Sequence, residues 1–475
     1  MRCTSSGPPA IFQRPIATSS LLSTIPRGAT HTRMEGLVDT LQDKLTIAAN
    51  VEQRTDNSTT RFLALRDIQH QRPKYSQLDP LQDNIVFQLV DIESSQWSHE
   101  SRDVLMYGVT ESGNTVLATV TGSRPYFYPY PKKLQLRDNT VATAYIDPHT
   151  DIATCFLADR QLPGMGGWIE CPAETYALTE TSDQVSRCQI ELTIPHNALN
   201  ASDSRIPDAP LRILYFDIES MTREDPKKPG KFISESLQDP VIQISNVVSH
   251  LGTKDPFLRV IFTVGSCDPI EGAYVRSYTS EREMLAAWQE FIHDIDPDVM
   301  TGWNILNFDL DYLITRGRQL GFDLILGRLK AGPPTSSEPQ TWYSLKYKDW
   351  MGRTVAIPGR VVLDMFRHFA CNHDKFRLRS YKLRNVAARL LREPGMLKGD
   401  VAYSDIPKLQ AGPDANSSTR RELAVYCLQD SYIPLVLQHK YRILEEYIEM
   451  GKTKRMLFRH MMYRKRLVEK LTKST

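Results

Sequence analysis

The sequence predicts a β-rich domain followed by an α/β domain, and three observations carry that reading. Between about residues 84 and 200, short apolar runs are separated by turn residues, as in sheets of short strands. From Leu211 onward, strand-like runs alternate with stretches of helical periodicity, the order expected of an α/β sheet with helices on its faces. And 475 residues are more than one ordinary core accommodates. With 41% hydrophobic and 24% charged residues, the composition is that of a globular protein. No apolar run approaches a membrane span, so no membrane association is expected.

Residues 1–80 are polar and rich in Ser, Thr, Pro and Gln, a lead-in expected to stay disordered. The run Ile85–Val90 then predicts a strand, followed by strands at Leu105–Thr110 and Thr115–Val120 and the aromatic cluster Pro125–Tyr130. This first domain, residues 81–205, ends in the polar stretch Asn200–Pro210, punctuated by Pro207 and Pro210. The second domain, residues 206–440, opens on the buried-type strand Leu211–Ile218, and Val241–Val248, Arg259–Val264 and Ala273–Tyr278 extend its sheet. Met284, Leu285, Trp288 and Ile292 fall at helical spacing and predict a helix over Glu281–Ile292. Asp298–Gly302 reads as a short strand and Leu310–Leu320 as a helix, with Gly321 as its stop. There is no internal repeat.

The net charge of +2 is unevenly spread. Residues 451–475 hold nine Lys or Arg against one acidic residue, which leaves −6 on the rest. Such a tail suits phosphate binding or a solvated end equally well. The seven cysteines (Cys3, Cys155, Cys171, Cys188, Cys267, Cys371, Cys427) include no C-x-x-C pair. They fit neither a disulfide framework nor a zinc site and point to a reducing compartment. Residues 1–34 lack Asp and Glu but carry Arg2, Arg14, Arg27 and Arg33, a composition shared by organellar transit peptides and plain basic N-termini.

Three acidic motifs follow in order: Phe216-Asp217-Ile218-Glu219, Asn304-Ile305-Leu306-Asn307-Phe308-Asp309 and Tyr426-Cys427-Leu428-Gln429-Asp430. On a strand, Asp217 and Glu219 point to one face and Ile218 to the other. Asp309 stands at the start of a helix, where anions are well accommodated, and Asn304 could orient it by a hydrogen bond. Phe308 could stack on a base. Equally, Asn307 or Asp309 could be an N-cap and Phe308 a core residue. Tyr426 and Asp430, four apart, share a helix face. Four carboxylates gathered in one place repel one another unless divalent cations sit between them, so the set points to metal-assisted phosphodiester cleavage. Spelling alone does not choose the first motif, because Asp91-Ile92-Glu93-Ser94 repeats Asp217-Ile218-Glu219-Ser220.

The order of the motifs resembles the proofreading exonuclease module of B-family DNA polymerases. Neighbouring stretches (Ala209–Leu214, Asp239–Ile244, Asp296–Gly302, Leu378–Tyr381 and Leu423–Asp430) resemble the delta-type catalytic subunits of that family. The likeness runs from about Phe87 to Met450. It implies a ribonuclease H-like exonuclease domain behind a β-rich N-terminal domain, and it places Asp91-Ile92-Glu93 in the latter. It further implies that Asp217 bridges two metal ions, that Glu219 and Asp430 hold the ion that activates water, that Asp309 supports the second ion, and that Tyr426 aligns the attacking water. Two ions of Mg²⁺ or Mn²⁺ fit such oxygen ligands. By the same resemblance, Phe308 holds the frayed primer end, Asn304 orients nearby groups, and a strand-separating β-hairpin lies between about Tyr343 and Val362. The implied partner is DNA, as a single-stranded primer 3′ end, with replication-complex subunits in the full-length protein. The implied compartment is the nucleus, with a mitochondrion or other organelle as the alternative.

The likeness does not extend to nucleotidyl transfer. A D-x-x-S-L-Y-P-like motif, a D-T-D motif and delta-type C-terminal cysteine clusters do not occur. The expectation is therefore a truncated polymerase that keeps its 3′→5′ exonuclease, with residues 441–475 a short start of the polymerase region and a non-native basic tail. Two other readings stay open: a free-standing DNA or RNA exonuclease of the same fold, and a non-catalytic DNA-binding remnant. The intact carboxylates favour catalysis over the last.

Overall fold

The computed structural model describes residues 71–463 apart from 76, 95–102, 123–130, 136–140, 146–151, 203–205, 345–347 and 392–400. The basic N-terminus, the aromatic cluster Pro125–Tyr130 and residues 464–475 lie outside the described residues.

The N-terminal domain is built on a seven-stranded sheet among the described residues. Ile85–Ser94 and Val104–Thr110 lie at its centre, flanked by Thr115–Thr121 and Trp168–Cys171. The alternating apolar residues found in the sequence fill its core. Phe87, Leu89, Met106, Val116 and Leu192 pack together, and Phe156 and Leu157 of the helix Ile152–Asp159 cover them.

Among the described residues, the second domain has a six-stranded sheet. In chain order its strands are β1 (Arg212–Ser220), β2 (Val241–His250), β3 (Leu258–Val264), β4 (Tyr274–Tyr278), β5 (Val299–Gly302) and β6 (Val361–Asp364). Their spatial order is β4-β3-β2-β1-β5-β6. β1 pairs antiparallel with β2 and parallel with β5, and β5 pairs parallel with β6. The carboxyl ends of β1, β5 and β6 therefore open on the same side, the usual place for a site in such a sheet.

β1 alternates as the sequence predicted. Leu214, Phe216 and Ile218 enter one core, against helices α1 (Glu281–Ile295) and α2 (Asp309–Gln319). Ile213 and Tyr215 enter the other, against helix α3 (Ser417–Tyr441). Ser280 caps α1 by accepting from Glu283 N, and the stripe Met284, Leu285, Trp288, Phe291 and Ile292 is buried. The helix runs three residues past the predicted end, until Asp296 turns left-handed at φ 48°.

A buried ionic knot precedes β5. Arg328 reaches Asp296 at 2.8 Å and Asp298 at 2.5 Å, Arg360 reaches Asp296 at 2.7 Å, and Arg72 reaches Asp298 at 2.8 Å. Burial alone would raise the Asp296 carboxyl, but Arg328, Arg72 and Arg360 hold it well below the usual carboxylate range. Buried charge is tolerated here because each carboxylate has guanidinium partners.

Three expectations need correction. The lead-in is packed earlier than residue 80: the Arg72 side chain is only 5% exposed and is held in the ionic knot. The hairpin is Ser336–Ser344 paired with Lys348–Ala356, several residues earlier than expected, because the turn at Pro358-Gly359 frees Val361–Asp364 to join the main sheet as β6. The basic tail is not a separate appendage over residues 451–463. Met456, Phe458 and Met461 are buried in the core beneath α3, and Leu457 in that of the N-terminal domain. Its charges had masked an apolar stripe. Among the described residues, no helix is long and apolar enough to cross a membrane.

Candidate active site

β1 carries Asp217 and Glu219 on the face shared with Ile213 and Tyr215, the face that α3 covers. Asp217 lies opposite Ser245 of β2. Asn416 starts α3 with a capping box to Thr419, which fixes where the helix begins and hence which residues face the sheet. Cys427 and Ser431 settle on Ser245: the Ser245 hydroxyl is 2.8 Å from Cys427 O and 2.5 Å from Ser431 Oγ. This docking brings Tyr426 and Asp430 beside the β1 carboxylates. The Tyr426 phenol is raised by burial first, then by Asp430, Glu219 and Asp217.

The second motif reaches the same place through a tight turn after β5. Gly302 is required there, since a Cβ would sit 2.4 Å from Phe216 O and 2.6 Å from Ile305 Cγ2. Asn304 is left-handed at φ 65°. Asp364, at the end of β6, accepts from Asn304 N at 3.0 Å and Leu306 N at 3.1 Å, and so fastens the turn. Asp309 then opens α2 and accepts from Ile218 N at 3.1 Å, between the two β1 carboxylates in sequence. It is 2% exposed, and burial pushes its carboxyl up to about 8; its own N–H and that of Ile218 oppose this, while Asp364 and Asp430 add to it. The structure thus gathers Asp217, Glu219, Asp309, Tyr426 and Asp430 from β1, α2 and α3.

The two remaining sequence candidates lie in the turn that leads into α2. The Asn304 amide oxygen accepts from Asn307 Nδ2 at 3.0 Å rather than orienting Asp309. Phe308 is half-buried against the α1–α2 core, its ring 5.3 Å from Tyr312. The N-cap position of α2 belongs to Phe308 with no side-chain cap, so neither Asn307 nor Asp309 is the cap. The duplicate motif lies in the N-terminal sheet. Asp91 meets Arg459 at 3.3 Å, and Asp91 and Glu93 line a cavity of about 910 Å³ together with Leu105, Arg360 and Arg459. Burial, then Asp91, pushes Glu93 up to about 8.

Sequence reasoning missed three residues here. Asp364 holds the turn of the second motif; its signal was an acidic residue ending a strand just before the helix Met365–Cys371, which it caps. The Cys427 thiol joins Asp217 and Glu219 in a group whose ligand atoms lie within 4.8 Å of one another, 3.8 Å from Asp217 Oδ2. Tyr403, outside any motif, lies in the field of Glu219, Asp217, Asp309 and Asp430.

The chain's likeness to known proteins can be set beside this geometry. Residues 147–386 match DNA polymerase family B, exonuclease domain, a span that includes the first two motifs. The DNA polymerase delta catalytic subunit of Schizosaccharomyces pombe is 32% identical over 476 aligned positions, covering 84% of this chain and 42% of that protein. That of Dictyostelium discoideum is 41% identical over 300, covering 62% and 25%. The chain therefore spans less than half the length of these relatives. In structure it is similar to the family B DNA polymerase of Pyrobaculum calidifontis, with a TM-score of 0.53 at 18% identity, over 78% of this chain and 47% of that one. With the family match covering half the sequence, the chain belongs to DNA polymerase family B, as a delta-type member carrying the exonuclease domain.

Proposed function

We propose that this chain carries a 3′→5′ exonuclease acting on DNA, the proofreading activity of a delta-type polymerase in nuclear replication. The observation that carries this reading is the convergence of Asp217, Glu219, Asp309 and Asp430 with the Tyr426 phenol, from three separate elements. The donor set fits hard divalent cations: carboxylate oxygens dominate it, and two come from one strand face. Asp217, Glu219, Asp309 and Asp430 would hold two ions of Mg²⁺ or Mn²⁺, which supply a more acidic bound water and charge stabilisation at the departing 3′ oxygen. The chain's own part is positional. The Ile218 N–H fixes Asp309, Asp364 fastens the turn before it, the Cys427–Ser245 contact fixes α3 on the sheet, and Tyr426, whose phenol lies in the field of Asp430, Glu219 and Asp217, is set to hold a water by hydrogen bonding. Replication-complex subunits are proposed as partners of the longer protein.

The test is a paired mutant comparison. Asp217→Ala with Glu219→Ala abolishes Mg²⁺-dependent digestion of single-stranded DNA while the fold survives. Asp91→Ala with Glu93→Ala leaves digestion in place. Undiminished cleavage by the first pair would sink the assignment, and preferential digestion of RNA ends over mismatched DNA primers would favour a free-standing nuclease instead.

A further inference from the structure

Phe308, the aromatic expected to meet a DNA end, is half-buried beside Tyr312, while Tyr403 is 59% exposed. Tyr403 follows no helix or strand pattern, yet its backbone is fixed. Its carbonyl accepts from Thr222 Oγ1 at 2.5 Å, just past the end of β1. On either side, Val401 and Ile406 pack with Met221, Ile242 and Leu423, which joins the segment to β1, β2 and α3. Thr222 is three residues past Glu219, so this anchor sets Tyr403 at the edge of the carboxylates, whose field its phenol shares with Tyr426. Of the exposed aromatic rings among the described residues (Tyr75, Tyr274 and Tyr403), Tyr403 is the one bonded next to the end of β1.

We infer that Tyr403 is a substrate-binding residue of this site, its exposed ring stacking on a base at the single-stranded 3′ end so that the adjoining phosphodiester meets the carboxylates. The inference rests on the nuclease reading above. Every base has a π-face, so such stacking is sequence-tolerant, as an editing site requires. A fixed backbone and a side chain with two rotatable bonds keep the ordering cost low.

The experiment measures binding apart from cleavage. In the full chain carrying Asp217→Ala, a fluorescein-labelled oligothymidylate is titrated by anisotropy in Mg²⁺. Adding Tyr403→Ala weakens binding about tenfold, and Tyr403→Phe restores most of it. With an abasic 3′-terminal nucleotide, the difference between Tyr403 and Tyr403→Ala shrinks. In the cleaving protein, Tyr403→Ala raises KM by a similar factor and changes kcat less. Equal binding by Tyr403→Ala, no measurable binding by the parent, a Tyr403→Phe variant as weak as Tyr403→Ala, or an unchanged effect on the abasic end would each overturn the stacking role. If the parent binds but digests no DNA, the proposed function fails while the binding series still decides the role of Tyr403.

Discussion

Adding one methyl group at Gly302 tests whether strand spacing sets the catalytic geometry. An alanine Cβ at this position would lie 2.4 Å from Phe216 O and 2.6 Å from Ile305 Cγ2. Non-bonded atoms sit comfortably at about 3.5 Å, so something must yield by roughly 1 Å. One obstacle is backbone, and β1 and β5 are already paired at Tyr215 and Thr301, so the strands must part next to Asp217. Overpacking of this kind costs about 1–3 kcal/mol. Misplacing a reacting group by about 1 Å costs on the order of 100-fold in rate. Gly302→Ala should therefore lower kcat about 100-fold on a 5′-labelled single-stranded oligonucleotide, with a drop of a few degrees in Tm and far-ultraviolet circular dichroism unchanged. A variant with parental kcat would refute the claim that the β1–β5 spacing positions Asp217.

Of three further predictions, two concern what holds the site and one a buried carboxyl of the N-terminal sheet. Asp364→Ala removes the acceptor for Asn304 N and Leu306 N, and should cost about 2–4 kcal/mol in urea unfolding together with most of the activity; Asp364→Asn should retain more of both, and parental activity in Asp364→Ala would argue against its role. Trp288→Phe strips the 2.9 Å donor from Asn246 Oδ1 and thins the packing on Phe216, so it should cost about 2–3 kcal/mol; unchanged unfolding would discount that bond. Glu93 has a folded carboxyl raised to about 8 from 4.5, so its contribution to stability is complete below about pH 4.5 and is lost as pH rises through 8. Thermal melts from pH 5 to 9 should show the parent losing stability relative to Glu93→Gln across that window, and parallel curves would contradict the burial of Glu93.

Much of the architecture was legible because its periods are local. The alternation along Arg212–Ser220 showed which face Asp217 and Glu219 share, and the stripe from Met284 to Ile292 showed the helix that covers the opposite face. Charge misled where it masked apolar spacing: Met456, Leu457, Phe458 and Met461 are core residues inside a segment that reads as a basic tail. Helix ends were less legible, since Asp296 halts α1 through a left-handed turn fastened by distant arginines.

By itself, the sequence determined the kinds of groups available, namely four carboxylates and a phenol in fixed order, and the face on which each local pair would stand. Side-chain periodicity encodes that much without tertiary contacts. The family resemblance had already assigned Asp217 and Glu219, not their copy at Asp91 and Glu93, to the nuclease; only the folded chain decided by which contacts they join Asp309 and Asp430. Those contacts are the parallel pairing of β1 with β5 and the docking of α3 through Ser245, spanning up to 186 residues. The tertiary structure also left Tyr403 exposed and set Asp364 beneath the second motif, because each position depends on neighbours remote in sequence.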